Sequence, residues 1–208
     1  MLADWDEAFT GADQNEQVIR GRLNSIVVSI LAAKRREQHG PGQHGATSNE
    51  PTPQYKSLRW ALERTLNFNW KIKEKMTKIQ GRVDFALWYG SREDVETNMV
   101  VVEAKRLDEA DLGVPQAIIY MARKQAGRTN WPIYGIATDS WDWHFLRLDP
   151  NGVVSKHFMD WRRDPIEVVS WIHKIMDQAA CLTPVSSQTL SRQPTVEESS
   201  DLGWLPNL

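Results

Sequence analysis

The sequence predicts an α/β fold, a mixed central β-sheet flanked by α-helices. Three observations carry this. Long amphipathic helical patterns near both ends enclose a middle region of strand-like runs. Those runs are joined partly by short polar turns and once by a helix, which mixes hairpins with a crossover. Two of them, Gly81–Trp88 and Met99–Arg106, hold carboxylates inside apolar segments, where a core strand should have none.

The first residues, Met-Leu-Ala-Asp-Trp-Asp-Glu, are acidic and lack an apolar h-region, so no secretory signal is expected. From Asp13 to about Arg36 the period is helical. Ile19, Leu23, Ile26, Val27, Ile30 and Leu31 form one stripe. Asp13 is the expected N-cap, with Glu16 three residues later as its capping-box partner. Residues 37–53, rich in Gly, Pro and His, predict a mobile loop. Leu58, Leu62 and Leu66, spaced by four, predict a short helix over 54–67. Strands are expected near 69–73, 80–89 and 98–105, with 90–97 as a polar hairpin connection.

A helix is expected over 114–127 with Pro115 in its first turn. Residues 131–138, 141–148 and 153–158 predict three strands, the last entered through the Asp149-Pro150-Asn151-Gly152 turn. Asp164-Pro165 opens a final helix whose apolar face runs from Val168 to Ala179. Beyond Thr183 the Ser-, Gln- and acid-rich composition predicts disorder. The organisation is therefore one domain over 1–182 and a tail over 183–208.

Composition narrows the classes. The apolar fraction of 41% is ample for a core, and Trp88, Trp131, Trp161 and Trp171 fall in patterned segments as core candidates. A net charge of −2 gives no global attraction to nucleic acid, yet 25 Lys and Arg leave room for a local basic patch. The single cysteine, Cys181, excludes an intramolecular disulfide framework and fits a reducing compartment. No stretch is long enough to span a membrane, so nucleus or cytoplasm is expected. The five histidines show no metal-ligand spacing.

The carboxylates carry the chemistry. Glu103 and Lys105 are two apart, so on a strand both point to one face, and Asp84 sits on a run that can lie alongside. Two acids about 4 Å apart repel by roughly 4 kcal/mol at an effective dielectric near 20. A divalent cation converts that repulsion into binding. Mg²⁺ or Mn²⁺ on Asp84, Glu103 and the Ala104 carbonyl suits phosphodiester hydrolysis. Lys105 would then orient or deprotonate water, or stabilise the pentavalent phosphate. The alternative is a structural ion pair between Glu103 and Lys105.

Asp84 followed nineteen residues later by Glu103-Ala104-Lys105 resembles the PD-(D/E)XK nuclease superfamily, with its restriction-endonuclease-like fold. Val83 stands where the family often has proline. Asn15-Glu16-Gln17-Val18-Ile19-Arg20 resembles the family's first helix, where a glutamate often joins the metal site. Gln116-Ala117-Ile118-Ile119-Tyr120 resembles the Gln-x-x-x-Tyr helix of its type I restriction and recombination-nuclease branches. The likeness spans roughly residues 13–140. The Trp-Tyr-Gly and Tyr-Gly-Ile-Ala-Thr-Asp segments also resemble small, uncharacterised fungal proteins of this fold.

The resemblance implies a metal-dependent nuclease with Asp84, Glu103, Lys105 and Gln116 as catalytic residues. Glu16, Asp84, Glu103 and the Ala104 carbonyl would hold Mg²⁺ or Mn²⁺. Arg20, Arg82, Arg106, Tyr120 and Arg123 would contact nucleic acid, DNA being favoured. Each has a plainer reading: Glu16 as a cap, the Gln116–Tyr120–Arg123 face as the wet side of a helix, the arginines as basic flanks. In the Trp141-Asp142-Trp143-His144 hairpin a cross-strand aromatic pair is expected rather than a base-stacking platform. The rival functions are a binding or interaction module on the same fold without turnover, and an RNA endonuclease. The chain carries no helicase-like segment, so targeting is expected from a separate chain or from homodimerisation.

Overall fold

A computed structural model describes residues 2–38, 55, 58–72, 75–88, 99–125 and 132–181, with backbone only at 2–3, 64, 66–72, 79, 88, 99–101 and 123–125. The elements are α1 (Leu2–Ala8), α2 (Glu16–Glu37), β1 (Arg59–Ile72), β2 (Lys75–Trp88), β3 (Met99–Ala104), α3 (Ala110–Gln125), β4 (Ile133–Thr138), β5 (Asp142–Leu148), β6 (Val154–Asp160) and α4 (Pro165–Cys181). The six strands form one sheet in sequence order. Every neighbouring pair is antiparallel except β3 and β4, which run parallel through the α3 crossover. The fold is thus mixed α/β with a mostly antiparallel sheet.

Helices cover both faces. On one, α2 and α4 bury Leu23, Val27, Ile172 and Met176 against Phe85, Leu87, Val102 and Phe145. On the other, α3 sets Ala117, Tyr120 and Met121 on Val83, Ala86, Ile133 and Leu146. The apolar stripe of α2 was legible as such: Ile19, Leu23, Ile26, Val27, Ile30 and Leu31 are all buried. No helix among the described residues is long and apolar enough to cross a membrane.

Several expectations are corrected. The helix over 54–67 does not form: Arg59–Ile72 is a strand paired with β2 along its length. A spacing of four is even, so Leu58, Leu62 and Leu66 satisfy a two-residue period as well as a helical one. The Trp, Thr and Phe content of the segment then favours the strand. The N-cap of α2 is Asn15, not Asp13. Its Oδ1 accepts from the backbone N–H groups of Gln17 at 3.0 Å and Val18 at 3.2 Å. Glu16 is therefore the first helical residue rather than the closing member of a capping box.

Helix α3 begins at Ala110, so Pro115 lies inside it, not in its first turn. The acidic N-terminus forms α1, which had no sequence expectation. Trp5 packs over Gly21, where an added Cβ would stand 2.5 Å from the indole. A cross-strand aromatic pair forms, as expected for this hairpin, between His144 of β5 and its register partner Phe158 of β6, with ring centroids 5.2 Å apart. Trp143 is fully buried and faces Phe145 and Trp161, at 6.0 and 6.1 Å between ring centroids. Trp141 lies beneath the guanidinium of buried Arg22, 4.0 Å from the ring centroid. Of the Trp core candidates, Trp161 and Trp171 pack partly buried against the core; the Trp88 side chain and Trp131 lie outside the described residues. So do the hairpin connection over 90–97, most of the loop over 37–53, and the tail over 183–208.

Asp139, fully buried at the end of β4, ties the turns beside the site together. Its Oδ1 accepts from the N–H groups of Trp141 at 2.9 Å and Asp142 at 2.7 Å, and its Oδ2 from Asp108 N–H at 2.6 Å. Asp139→Ala leaves three donors without that acceptor, at a cost of about 1–3 kcal/mol for each that stays dry. Urea denaturation should show a loss on the order of 3–5 kcal/mol, and Asp139→Asn a smaller one. Equal stability of Asp139→Ala and wild type would refute this role.

Candidate active site at the β2–β3 fork

The β2–β3 ladder ends at the pair Phe85–Val102. Beyond it the strands part, and Asp84 fills the fork. Its Oδ2 accepts the Ala104 N–H at 2.9 Å, a backbone donor aimed at β2. In an extended residue N–H and C=O point to the same side, so the Ala104 carbonyl faces this fork too. On the other side Lys105 N–H donates to Thr138 O at 2.9 Å, which keeps the Glu-Ala-Lys segment on β4.

Asp84 is 6% exposed and Glu103 is 0% exposed. Their surroundings differ. Asp84 Oδ1 accepts from Arg20 Nη2 of α2. The same nitrogen lies 2.7 Å from Glu16 Oε1, and Arg20 Nη1 lies 3.5 Å from Glu63 Oε1. Glu103 has no such compensation: neither carboxylate oxygen receives a hydrogen bond. Its nearest cation is Lys105, whose Nζ stands 3.7 Å from Oε2. Burial first, and the negative charge of Asp84 second, push the Glu103 carboxyl up to about 8, with Lys105 opposing.

Helix α3 seals Glu103 from water. Gly113 lets it approach: a Cβ there would lie 3.1 Å from Ala137 Cβ, 3.3 Å from Lys105 Cγ and 3.4 Å from Glu103 Cβ. One turn on, Gln116 Oε1 accepts from Lys105 Nζ at 3.1 Å. Gln116 Nε2 donates to Tyr120 Oη at 3.3 Å. Tyr120 is buried, which raises its pKa, and its hydroxyl occupies the space a side chain at Gly81 would need.

The structure thus brings together Asp84, Glu103, the Ala104 backbone, Lys105, Gln116, Tyr120 and Arg20. Glu16 reaches Asp84 only through Arg20. Among the described residues no group of three or more His, Cys, Asp or Glu is placed to hold a metal. Arg106 is exposed and lines a polar cleft with Asp13, Asn15, Glu16 and Glu109, to one side of the acids. Arg82 is exposed and lies 3.4 Å from Glu63 Oε2. Arg123 is in α3, with its side chain outside the described set. The donors that could hold a cation are Asp84, Glu103 and the Ala104 carbonyl, all hard oxygens that suit Mg²⁺ or Mn²⁺.

Sequence reasoning missed Glu63 and Gly113. Glu63 falls opposite Asp84, where the β1–β2 pairing skips one position between Leu62–Phe85 and Arg64–Val83. Its φ of 49° is left-handed, which is uncommon for a residue other than glycine. Only a correct strand assignment for 59–72 would have shown an acid facing Asp84. Gly113 lay before the expected helix start and so carried no signal.

Comparison of the chain with protein-family models, with curated proteins and with solved structures finds no match.

Glu103 makes stability fall with pH. Its folded pKa lies above the ordinary value of 4.5, so the folded state holds an extra proton between pH 4.5 and about 8. The penalty for the bare carboxylate is absent below that window, grows through it and is complete above it, at about 1.4 kcal/mol per pH unit. Glu103→Gln removes the titration. In EDTA the variant should gain on wild type by roughly 5–10 °C in Tm between pH 5.5 and 8.5. A Tm difference independent of pH would show that Glu103 is not a strained buried acid.

Proposed function

We propose that this chain is a divalent-metal-dependent nuclease of the PD-(D/E)XK kind, with a restriction-endonuclease-like core, acting on DNA. The observation that carries the reading is Glu103: a buried carboxylate with no donor, beside a second acid, with Lys105 on the same strand face. A buried carboxylate with no hydrogen-bond donor is costly to ionise and holds its proton instead, so a cation that binds the ionised form removes that cost. The all-oxygen donor set of Asp84, Glu103 and Ala104 fits Mg²⁺ or Mn²⁺. Bound there, such an ion would neutralise phosphate charge and acidify a water.

The chain's own residues have separate tasks. Asp84 is oriented by the Ala104 N–H, so its free lone pairs keep one direction. Lys105 Nζ, held by Gln116 and drawn by Glu103, is positioned to take or give a proton at the attacking water, or to stabilise charge growing on the phosphate. Gln116 positions Lys105, and Tyr120 in turn holds Gln116. Helix α3 excludes water above Glu103, which strengthens each of these interactions.

One observation favours a second reading. Arg20 already neutralises Asp84, as in a structural ion pair, and that would suit a nucleic-acid-binding module without turnover.

The deciding experiment is cleavage of plasmid and oligonucleotide substrates. The nuclease reading expects shorter products with Mg²⁺ or Mn²⁺ and none in EDTA. Lys105→Ala should lower the rate about 10²–10⁴-fold while retaining metal binding. Saturating Mn²⁺, at a hundred times its Kd, should stabilise the fold by about 2.7 kcal/mol, and Asp84→Asn should abolish both that increment and cleavage. A protein that shifts a DNA probe yet never cuts DNA or RNA with either metal is the binding module.

A further inference from the structure

The β1–β2 hairpin outgrows the sheet. The strands pair from Arg59–Trp88 to Ile72–Lys75, but β3 accompanies β2 only over Phe85–Trp88. Thr65–Ile72 and Lys75–Arg82 thus form a two-stranded ribbon that no other strand joins among the described residues. Eight residues per strand reach about 25 Å. The ribbon starts at the acid site. Gly81 lies against the Tyr120 hydroxyl, and Arg82 is joined through Glu63 to Arg20, the counter-ion of Asp84.

Its sequence is unlike the rest of the chain. These two stretches carry four cations, Lys71, Lys75, Lys78 and Arg82, and no acid, in a protein of net charge −2. The register sorts them further. Thr65–Arg82, Asn67–Gln80, Asn69–Lys78 and Lys71–Met76 form one row of partners. The alternate row holds Leu66, Phe68, Trp70 and Ile72 with Gly81, Ile79, Thr77 and Lys75. One row is therefore amide and cationic at nearly every position, and the other largely apolar. Lys75, Met76, Lys78, Gln80 and Arg82 are exposed.

We propose that this ribbon is a clamp for double-stranded DNA, seated in the major groove with the amide and cationic row inward. The B-form major groove, about 12 Å wide, admits a two-stranded ribbon, and Asn, Gln, Lys and Arg are the side chains that bond base edges and phosphates there. The A-form RNA major groove is too deep and narrow to admit one. A ribbon of about 25 Å follows most of one B-DNA turn of about 34 Å, which sets the duplex against the acids at its base. The proposal takes the nucleic-acid reading above as its premise and adds the substrate class: duplex DNA, not RNA and not single strands.

The test is equilibrium binding to a fluorescent 20-base-pair DNA duplex in EDTA, where no cleavage interferes, across a salt series. Each lost phosphate contact reduces the slope of log K against log salt by about 0.9. Lys71→Ser/Lys78→Ser, both on the inward row, should reduce it by about 1.8, so the affinity lost between 50 and 200 mM salt shrinks roughly tenfold. The Lys71→Arg/Lys78→Arg variant should keep the wild-type slope. So should Arg147→Ser, which removes an exposed cation from β5, three strands from β2. Single-stranded DNA and an RNA duplex of the same sequence should bind at least about tenfold more weakly than the DNA duplex. If the double variant does not fold, Lys71→Ser and Lys78→Ser alone must each take about 0.9 from the slope. An unchanged slope in a folded variant, or equal binding of the RNA duplex, overturns the clamp. A wild type that shows this slope but never cuts overturns the nuclease reading and leaves the clamp standing. Cutting with an unchanged variant slope does the reverse.

Discussion

The hydrogen bond from the Ala104 N–H to the Asp84 carboxylate is the contact on which the rest of the site depends. It closes the gap where β2 and β3 part. A sheet that splits leaves backbone donors dry, and an unmade buried donor costs about 1–3 kcal/mol. An aspartate at the fork removes that cost and remains anchored there as an acid. The split frees β2 to continue with β1 as a separate ribbon. It also lets Glu103 and Lys105 emerge beside Asp84 instead of under a third strand.

The two acids are treated unequally, and the inequality has a structural source. Asp84 lies in the fork, within reach of Arg20 on α2. Glu103 lies beneath α3, whose approach through Gly113 excludes water and supplies no donor. Helices on opposite faces of the sheet therefore set opposite environments for carboxylates on adjacent strands. Burial of this kind raises the proton affinity of Glu103, a perturbation of the sort that acid–base and metal sites use. Lys105 completes the asymmetry, shared between Glu103 and the Gln116–Tyr120 pair on α3.

Much of this was legible in the sequence, for physical reasons. Alternation put Glu103 and Lys105 on one face, and helical spacing put Gln116 and Tyr120 one turn apart, where they bond. Arg20, one turn from Glu16, pairs with it. The failures are equally specific. Leucines four apart cannot separate a helix from a strand, which hid β1 and with it Glu63. The cap at Asn15 displaced Glu16 by two helical positions and set Arg20, not Glu16, against Asp84. Nothing local in the sequence announces that α3 starts four residues early, and Gly113 was lost with it. Burial of Trp143 is a tertiary property, decided by α2 and α4 covering that face of β5 rather than by its own neighbours.

The central claim is that the Asp84–Glu103 pair is built to exchange a proton for a divalent cation. Calorimetric titration with Mn²⁺ in buffers of different ionisation enthalpy measures protons released per ion bound. With Glu103 held up to about 8 before the metal arrives, binding at pH 6.5 should release close to one proton, and binding at pH 9 almost none. Glu103→Gln should abolish the pH dependence. Mn²⁺ binding without proton release at pH 6.5, or no binding at millimolar Mn²⁺, would contradict the account.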